Sequence, residues 1–138
     1  MSKQKVVILD GTRPEDKHLD SILALLIDVL QQHNGTKIQK FTLQAIKINH
    51  CIGCFNCWLK TPGRCIHHDA GVDILRAIQD CTSLFFFSPI VFGGYSSELK
   101  KIVDRFLPMS LPFFKKAHGE THHLLRYPKS IRFFGIGV

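Results

Sequence analysis

The order of apolar segments predicts an α/β domain: a parallel sheet covered by helices on both faces. Three observations carry this reading. Short apolar runs at residues 5–9 and 84–87 have the character of buried parallel strands. Apolar residues spaced by three and four mark helices between and after them. The two kinds of segment alternate as β-α-β-α-β-α-β, which is the pattern of a parallel sheet with crossover helices.

The first strand is Lys5-Val6-Val7-Ile8-Leu9, ended by Asp10-Gly11. Leu19, Ile22, Leu23, Leu26, Val29 and Leu30 then form one helical face, stopped by Asn34-Gly35. Residues 37–43, with Ile38, Phe41 and Leu43 among polar neighbours, read as a less buried strand. A cysteine-bearing segment follows. Ile74, Leu75 and Ile78 mark a short second helix, and Leu84-Phe85-Phe86-Phe87 a fully apolar strand bounded by Ser88-Pro89. Leu99, Ile102, Val103, Phe106 and Leu107 give a third helical face, with Ser96 as its N-cap. Residues 108–129 read as mostly irregular, and residues 131–136 as a last strand.

The length of 138 residues fits one domain spanning the whole chain, 1–138. No apolar run reaches the roughly 20 residues that span a bilayer, and no signal peptide is legible, so a cytoplasmic protein without a membrane partner is expected. The charge balance is 18 − 11 = +7, which favours acidic partners such as phosphorylated cofactors or acidic redox proteins. No stripe of basic residues interleaved with aromatics occurs, which argues against nucleic acid. Four of the five cysteines lie close together, and in a reducing compartment such a cluster signals metal or redox chemistry.

Ligands of parallel sheets sit beyond the carboxyl ends of the strands, where strand order reverses. Three segments therefore matter. Cys51, Cys54, Cys57 and Cys65 form C-x2-C-x2-C-x7-C, three thiolates from one loop and a fourth returning after Pro62-Gly63. Thiolates suit an iron–sulfur cluster or zinc, and free thiols shaping a loop are the alternative. His50, His67 and His68 read as solvated loop residues, and Cys81 as packing. The second segment is Ser88-Pro89-Ile90-Val91-Phe92-Gly93-Gly94-Tyr95. Its Gly93-Gly94 lets backbone approach a flat ligand, and Phe92 and Tyr95 can pack against an aromatic ring. The third is the opening loop, where Gly11 permits a turn and Thr12, Arg13 and Lys17 can donate to a phosphate at a helix N-terminus. Against this, Thr12-x-x-Glu15 reads as a capping box that satisfies the helix end without a ligand.

With these motifs, the chain from Val6 onward resembles the flavodoxin-like NADPH-dependent FMN reductases and iron–sulfur flavoproteins. The resemblance is most specific at Cys51-Ile52-Gly53-Cys54-Phe55-Asn56-Cys57-Trp58 with Pro62-Gly63-Arg64-Cys65 and Asp69. It is nearly as specific at Ser88-Pro89-Ile90-Val91-Phe92-Gly93 with Leu99-Lys100 and Asp104-Arg105. It implies a flavodoxin-like three-layer sandwich, with FMN held at Gly11, Thr12, Arg13, Lys17 and the 88–96 turn. It also implies a [4Fe–4S] cluster on Cys51, Cys54, Cys57 and Cys65. Two departures stand out. The phosphate loop carries Glu15 and Asp16, and the sequence stops at Gly135-Ile136-Gly137-Val138, before the family's next helix and fifth strand.

The expected activity is an NAD(P)H-dependent FMN oxidoreductase or electron carrier that passes electrons to a small molecule or a protein. Homo-oligomerisation would cover the last strand. No general acid or base is expected. The alternatives are a zinc or iron–sulfur module without flavin, and a non-catalytic interaction protein.

Overall fold

The computed structural model describes residues 4–33 and 35–138. Asn34, expected to help stop the first helix, lies outside the described residues; Gly35 beside it has φ +83°.

Strands β1 (Lys5–Asp10), β2 (Lys37–Thr42), β3 (Ser83–Ser88) and β6 (Arg132–Gly137) form one parallel sheet in the order β2-β1-β3-β6. In register, Val6 lies opposite Ile38 on one side and Ser83 on the other, and Leu84 opposite Phe133. β1 and β3 are apolar between their polar ends because both are central. Successive side chains alternate between faces, so each strand feeds two cores. Val6, Ile8, Phe85 and Phe87 pack under helix α1 (Asp20–Gln31). Val7, Leu9 and Leu84 pack with Ile74 and Ile78 of α3 (Gly71–Asp80) and with Leu99 and Ile102 of α4 (Ser97–Val103). Each such buried side chain is worth roughly 1.5–3 kcal/mol. The result is the three-layer sandwich expected from the alternation.

Several local expectations change. The stripe facing the sheet is Leu19 of the preceding turn with Leu23, both buried, and the partly buried Leu26, Ile27 and Leu30 of α1, while Ile22 and Val29 are exposed. Packing on the sheet selects a stripe rotated by about one residue from the spacing read in sequence. The Thr12–Glu15 capping box does not form. The chain instead makes a 3-10 turn at Lys17–Leu19, and α1 begins at Asp20 without a side-chain cap. Residues 108–129 are not irregular: β4 (Ser110–Ala117) and β5 (Glu120–Leu125) form an antiparallel hairpin. Its turn, His118-Gly119, has positive φ at both residues, the hairpin geometry that matches strand twist. The third helix divides into α4 and a 3-10 segment, Asp104–Met109, that contains Pro108.

The edge strand β6 leaves Phe133 and Phe134 exposed on opposite faces while they stack against Phe86 and Phe85. Among the described residues no helix is long and apolar enough to cross a membrane.

Candidate functional site

The chain runs from β1 outward to β2, then crosses to β3 on the other side of β1. The reversal of strand order therefore falls between β1 and β3, and the loops after these two strands meet there. Gly11 N donates to Phe87 O at 2.8 Å, extending the ladder by one step. Ser96 joins the loops. Its Oγ donates to Gly11 O, its N donates to Ser88 Oγ at 2.9 Å, and its Oγ accepts from Leu99 N as the N-cap of α4. Ser96 is fully buried. Gly11 is glycine for lack of space rather than for a turn: a Cβ there would lie 2.8 Å from Leu99 Cβ and 3.0 Å from Ser96 Oγ.

The loop after β3 folds back on itself. Val91 and Gly94 exchange two backbone hydrogen bonds, 2.8 and 3.0 Å, around Phe92 (φ +49°) and Gly93 (φ +78°). Both central residues have positive φ, the signature of a type I′ turn. An aromatic residue in that region costs roughly 1–2 kcal/mol, and its side chain recovers nothing by burial, since Phe92 is fully exposed. Ile90 and Tyr95 are also exposed. Strain of this kind collects at functional positions. Behind the turn, Ser88, Pro89, Ile90, Gly93, Gly94 and Tyr95 wall a cleft of about 400 Å3, closed on its other side by Phe133, Gly135, Ile136 and Gly137 of β6. This volume and its mostly apolar walls suit a flat ring system. The β6 wall was not foreseen. Strand pairing, which is invisible along the chain, puts it there.

The opening loop presents a different picture. Gly11, Thr12, Arg13 and Lys17 do not line that cleft. The donors expected to meet a phosphate already meet carboxylates of the same loop. Thr12 donates through N (3.1 Å) and Oγ1 (2.7 Å) to Asp10. Arg13 donates through N, Nε and Nη2 to Asp16 at 2.9, 2.9 and 3.0 Å, and lies 3.3 Å from Glu15. The Arg13 hydrogen bonds hold the Asp16 carboxyl below its ordinary range and raise the guanidinium in return. Lys17 is exposed on the 3-10 turn. The cleft after β3 is thus open, whereas the donors of the opening loop are taken up by its own Asp10 and Asp16.

The cysteine loop follows β2. Gly53 and Phe55 have positive φ and turn the chain into α2 (Asn56–Leu59). Gly63 (φ +80°) donates from N to Cys57 O at 2.9 Å, so the Pro62-Gly63 turn brings Cys65 back as its spacing suggested. Cys51, Cys54, Cys57 and Cys65 all line one void of about 20 Å3. Burial pushes the Cys57 thiol up, and the nearby Cys65, Cys51 and Cys54 sulfurs push it the same way. Among the described residues, no three His, Cys, Asp or Glu side chains stand close enough to share one metal ion. Trp58 anchors this loop, since its Nε1 donates to Leu107 O and Ser110 O, both at 3.0 Å.

Cys81 is buried packing, and His50 and His68 are exposed. His67 is not a solvated loop residue: its Nε2 is buried without a partner among the described residues, and it lines the cysteine void. Arg105, named in the sequence only as part of the resemblance and given no role there, belongs to this site. It is 1% exposed, lines the same void and pairs with Asp69. Asp69 also accepts from Asn49 N at 2.8 Å and Gly71 N at 3.0 Å. Burial raises the Asp69 carboxyl, but the Arg105 pair and these amides outweigh it and bring it down to about 2. In sequence it stood only in the Asp104-Arg105 pair of the resemblance, and an arginine beside an apolar helical face does not announce burial.

Residues 4–121 match the NADPH-dependent FMN reductase family. Among curated proteins, an iron-sulfur flavoprotein of Methanocaldococcus jannaschii is 30% identical over 110 residues, covering 79% of this chain and 55% of that protein. An iron-sulfur flavoprotein of Archaeoglobus fulgidus is 28% identical over 104 residues, covering 75% of this chain and 44% of that protein. The chain thus spans about half the length of the curated relatives it matches. Among solved structures, an azoreductase from Bacillus anthracis superposes with a TM-score of 0.64 at 15% identity, over 97% of this chain and 69% of that one. An FMN-dependent NADH-azoreductase from Bacillus anthracis, in complex with FMN, gives 0.61 at 12% identity, with the same coverage. At such identities these two structures speak for the flavodoxin-like fold alone.

Proposed function

The chain belongs to the NADPH-dependent FMN reductase family, and on that premise we propose that it is a flavin-dependent oxidoreductase that carries electrons from NAD(P)H to a small-molecule or protein acceptor, with an iron–sulfur cluster on its four clustered cysteines. The observation that carries the flavin reading is the seam between β1 and β3. Two loops locked together by Ser96 stand where strand order reverses, beside an open apolar cleft.

FMN, when bound, supplies hydride acceptance and onward electron transfer. The chain's own part is placement. Pro89, Ile90, Gly93, Gly94 and Tyr95 would hold the ring, with Gly94 keeping the wall low and Tyr95 offering an aromatic face. Arg13 and Lys17 would bind the phosphate, which would compete with Asp16 for Arg13. Ile90 and Ile136 of β6, which line the same cleft, would help keep water from a bound ring. For the cysteines, four thiols lining one void supply the soft donor set that an iron–sulfur cluster would take.

The test is purification under anaerobic conditions with quantitation of flavin and iron, followed by titration of the flavin-free chain with FMN. Quenching of flavin fluorescence, and bleaching of the bound flavin by NADPH or NADH, are expected. A chain that neither quenches FMN nor gains thermal stability from it overturns the flavin reading.

A further inference from the structure

Two buried side-chain polar atoms lack a hydrogen-bond partner among the described residues: Arg105 Nε and His67 Nε2. Both belong to residues that line the void shared by the four cysteines. Buried polar atoms without partners are uncommon in folded proteins, and each leaves a desolvation cost of about 1–3 kcal/mol uncompensated; Arg105 Nε is always a donor, and His67 Nε2 is one in its Nε2–H tautomer. Two of them at one void mark a place where acceptors are missing.

The Arg105 side chain is built in rather than left over. Its Nη1 pairs with Asp69 Oδ1 and reaches Asn49 O at 3.5 Å, and its Nη2 donates to His67 O at 3.3 Å. Room for it depends on Gly71, where a Cβ would lie 2.7 Å from Nη1 and 2.8 Å from Cζ. Arg105 lines the void and Asp69 does not; the one carboxylate in the lining, Asp104, is paired with Lys100. Arginine stays protonated in proteins, which makes Arg105 a permanent charge.

Resting on the cluster reading above, we propose that Arg105 and His67 are the outer hydrogen-bonding wall of the cysteine site. They donate to sulfur through Nε–H and Nε2–H, and stabilise the more negative, reduced state of a bound iron–sulfur cluster. Sulfur is an acceptor that fits both orphaned donors, and hydrogen bonds to the sulfurs are among the levers that set cluster potentials. The two residues act through the ligands and are positioning residues.

The experiment reconstitutes the full chain anaerobically with iron and sulfide and measures both contents. A redox titration read by EPR of the reduced cluster then follows for the wild type, Arg105→Gln, Arg105→Lys and His67→Phe. Arg105→Gln is expected to lower the one-electron reduction constant about tenfold, a midpoint about 59 mV more negative. Arg105→Lys should recover part of that shift through its charge, and His67→Phe should move the midpoint in the same direction by less. If Arg105→Gln fails to fold or load, His67→Phe decides, because it leaves the Arg105–Asp69 pair intact. Full iron content with midpoints indistinguishable from the wild type overturns this proposal alone. A wild-type chain that takes up no iron overturns the cluster reading and this proposal with it.

Discussion

Replacing Gly11 with alanine tests the seam on which the flavin reading depends. The added methyl would lie 2.8 Å from Leu99 Cβ, 3.0 Å from Ser96 Oγ and 3.3 Å from Phe87 O. Carbon atoms pack best at about 3.5–4.0 Å, so the first contact is short by about 0.7–1.2 Å. None of the three neighbours is a flexible chain end. Leu99 is 1% exposed, and Ser96 and Phe87 are 0%. Relief must come from moving α4 away from β1, which strains the Ser96–Gly11 hydrogen bond. Overpacking of this kind costs about 1–3 kcal/mol. With a urea m-value of about 1–3 kcal/mol/M, the unfolding midpoint should fall by about 1 M. Gly93→Ala is the control. A Cβ there meets nothing within 4 Å, so only its φ of +78° matters, at about 1–2 kcal/mol. A Gly11→Ala variant that unfolds at the wild-type midpoint would refute the close approach of the two loops.

Two further outcomes follow from the ion pairs. The Asp69 carboxyl sits at about 2 when folded against 3.8 unfolded. It therefore adds stability that is complete above about pH 4 and lost as pH falls toward 2. At 1.36 kcal/mol per pH unit this is about 2 kcal/mol, and the stability gap between wild type and Asp69→Asn should narrow over that window in denaturant titrations. In the opening loop, Asp16→Asn frees Arg13 for an anion. FMN should bind about tenfold tighter, or about 1.4 kcal/mol, with riboflavin unchanged; equal response of both flavins in a fluorescence titration would show that this loop does not take the phosphate.

Much of the molecule was legible along the chain. The apolar runs at 5–9 and 84–87, with helical spacing between them, suffice for a parallel sandwich, because strand burial on two faces and helix burial on one leave different local periods. The Ser96 cap and the return of Cys65 through Gly63 were legible for the same reason: both are set by residues within a few positions. The β4–β5 hairpin was missed because its strands keep polar and basic residues, among them Lys115, Lys116 and His122, on exposed surface, which blurs the alternation.

What sequence alone determined is the class of fold, the order of its loops and the inventory of chemistry-bearing residues. Only the tertiary structure decided how those residues are spent. It gave Arg13 to Asp16 rather than leaving it free, buried Arg105 beside thiols some fifty positions away, and walled the cleft with β6. The physical reason is that periodicity and turn chemistry are local, whereas hydrogen-bond satisfaction is settled between whichever donors and acceptors the packed layers bring together.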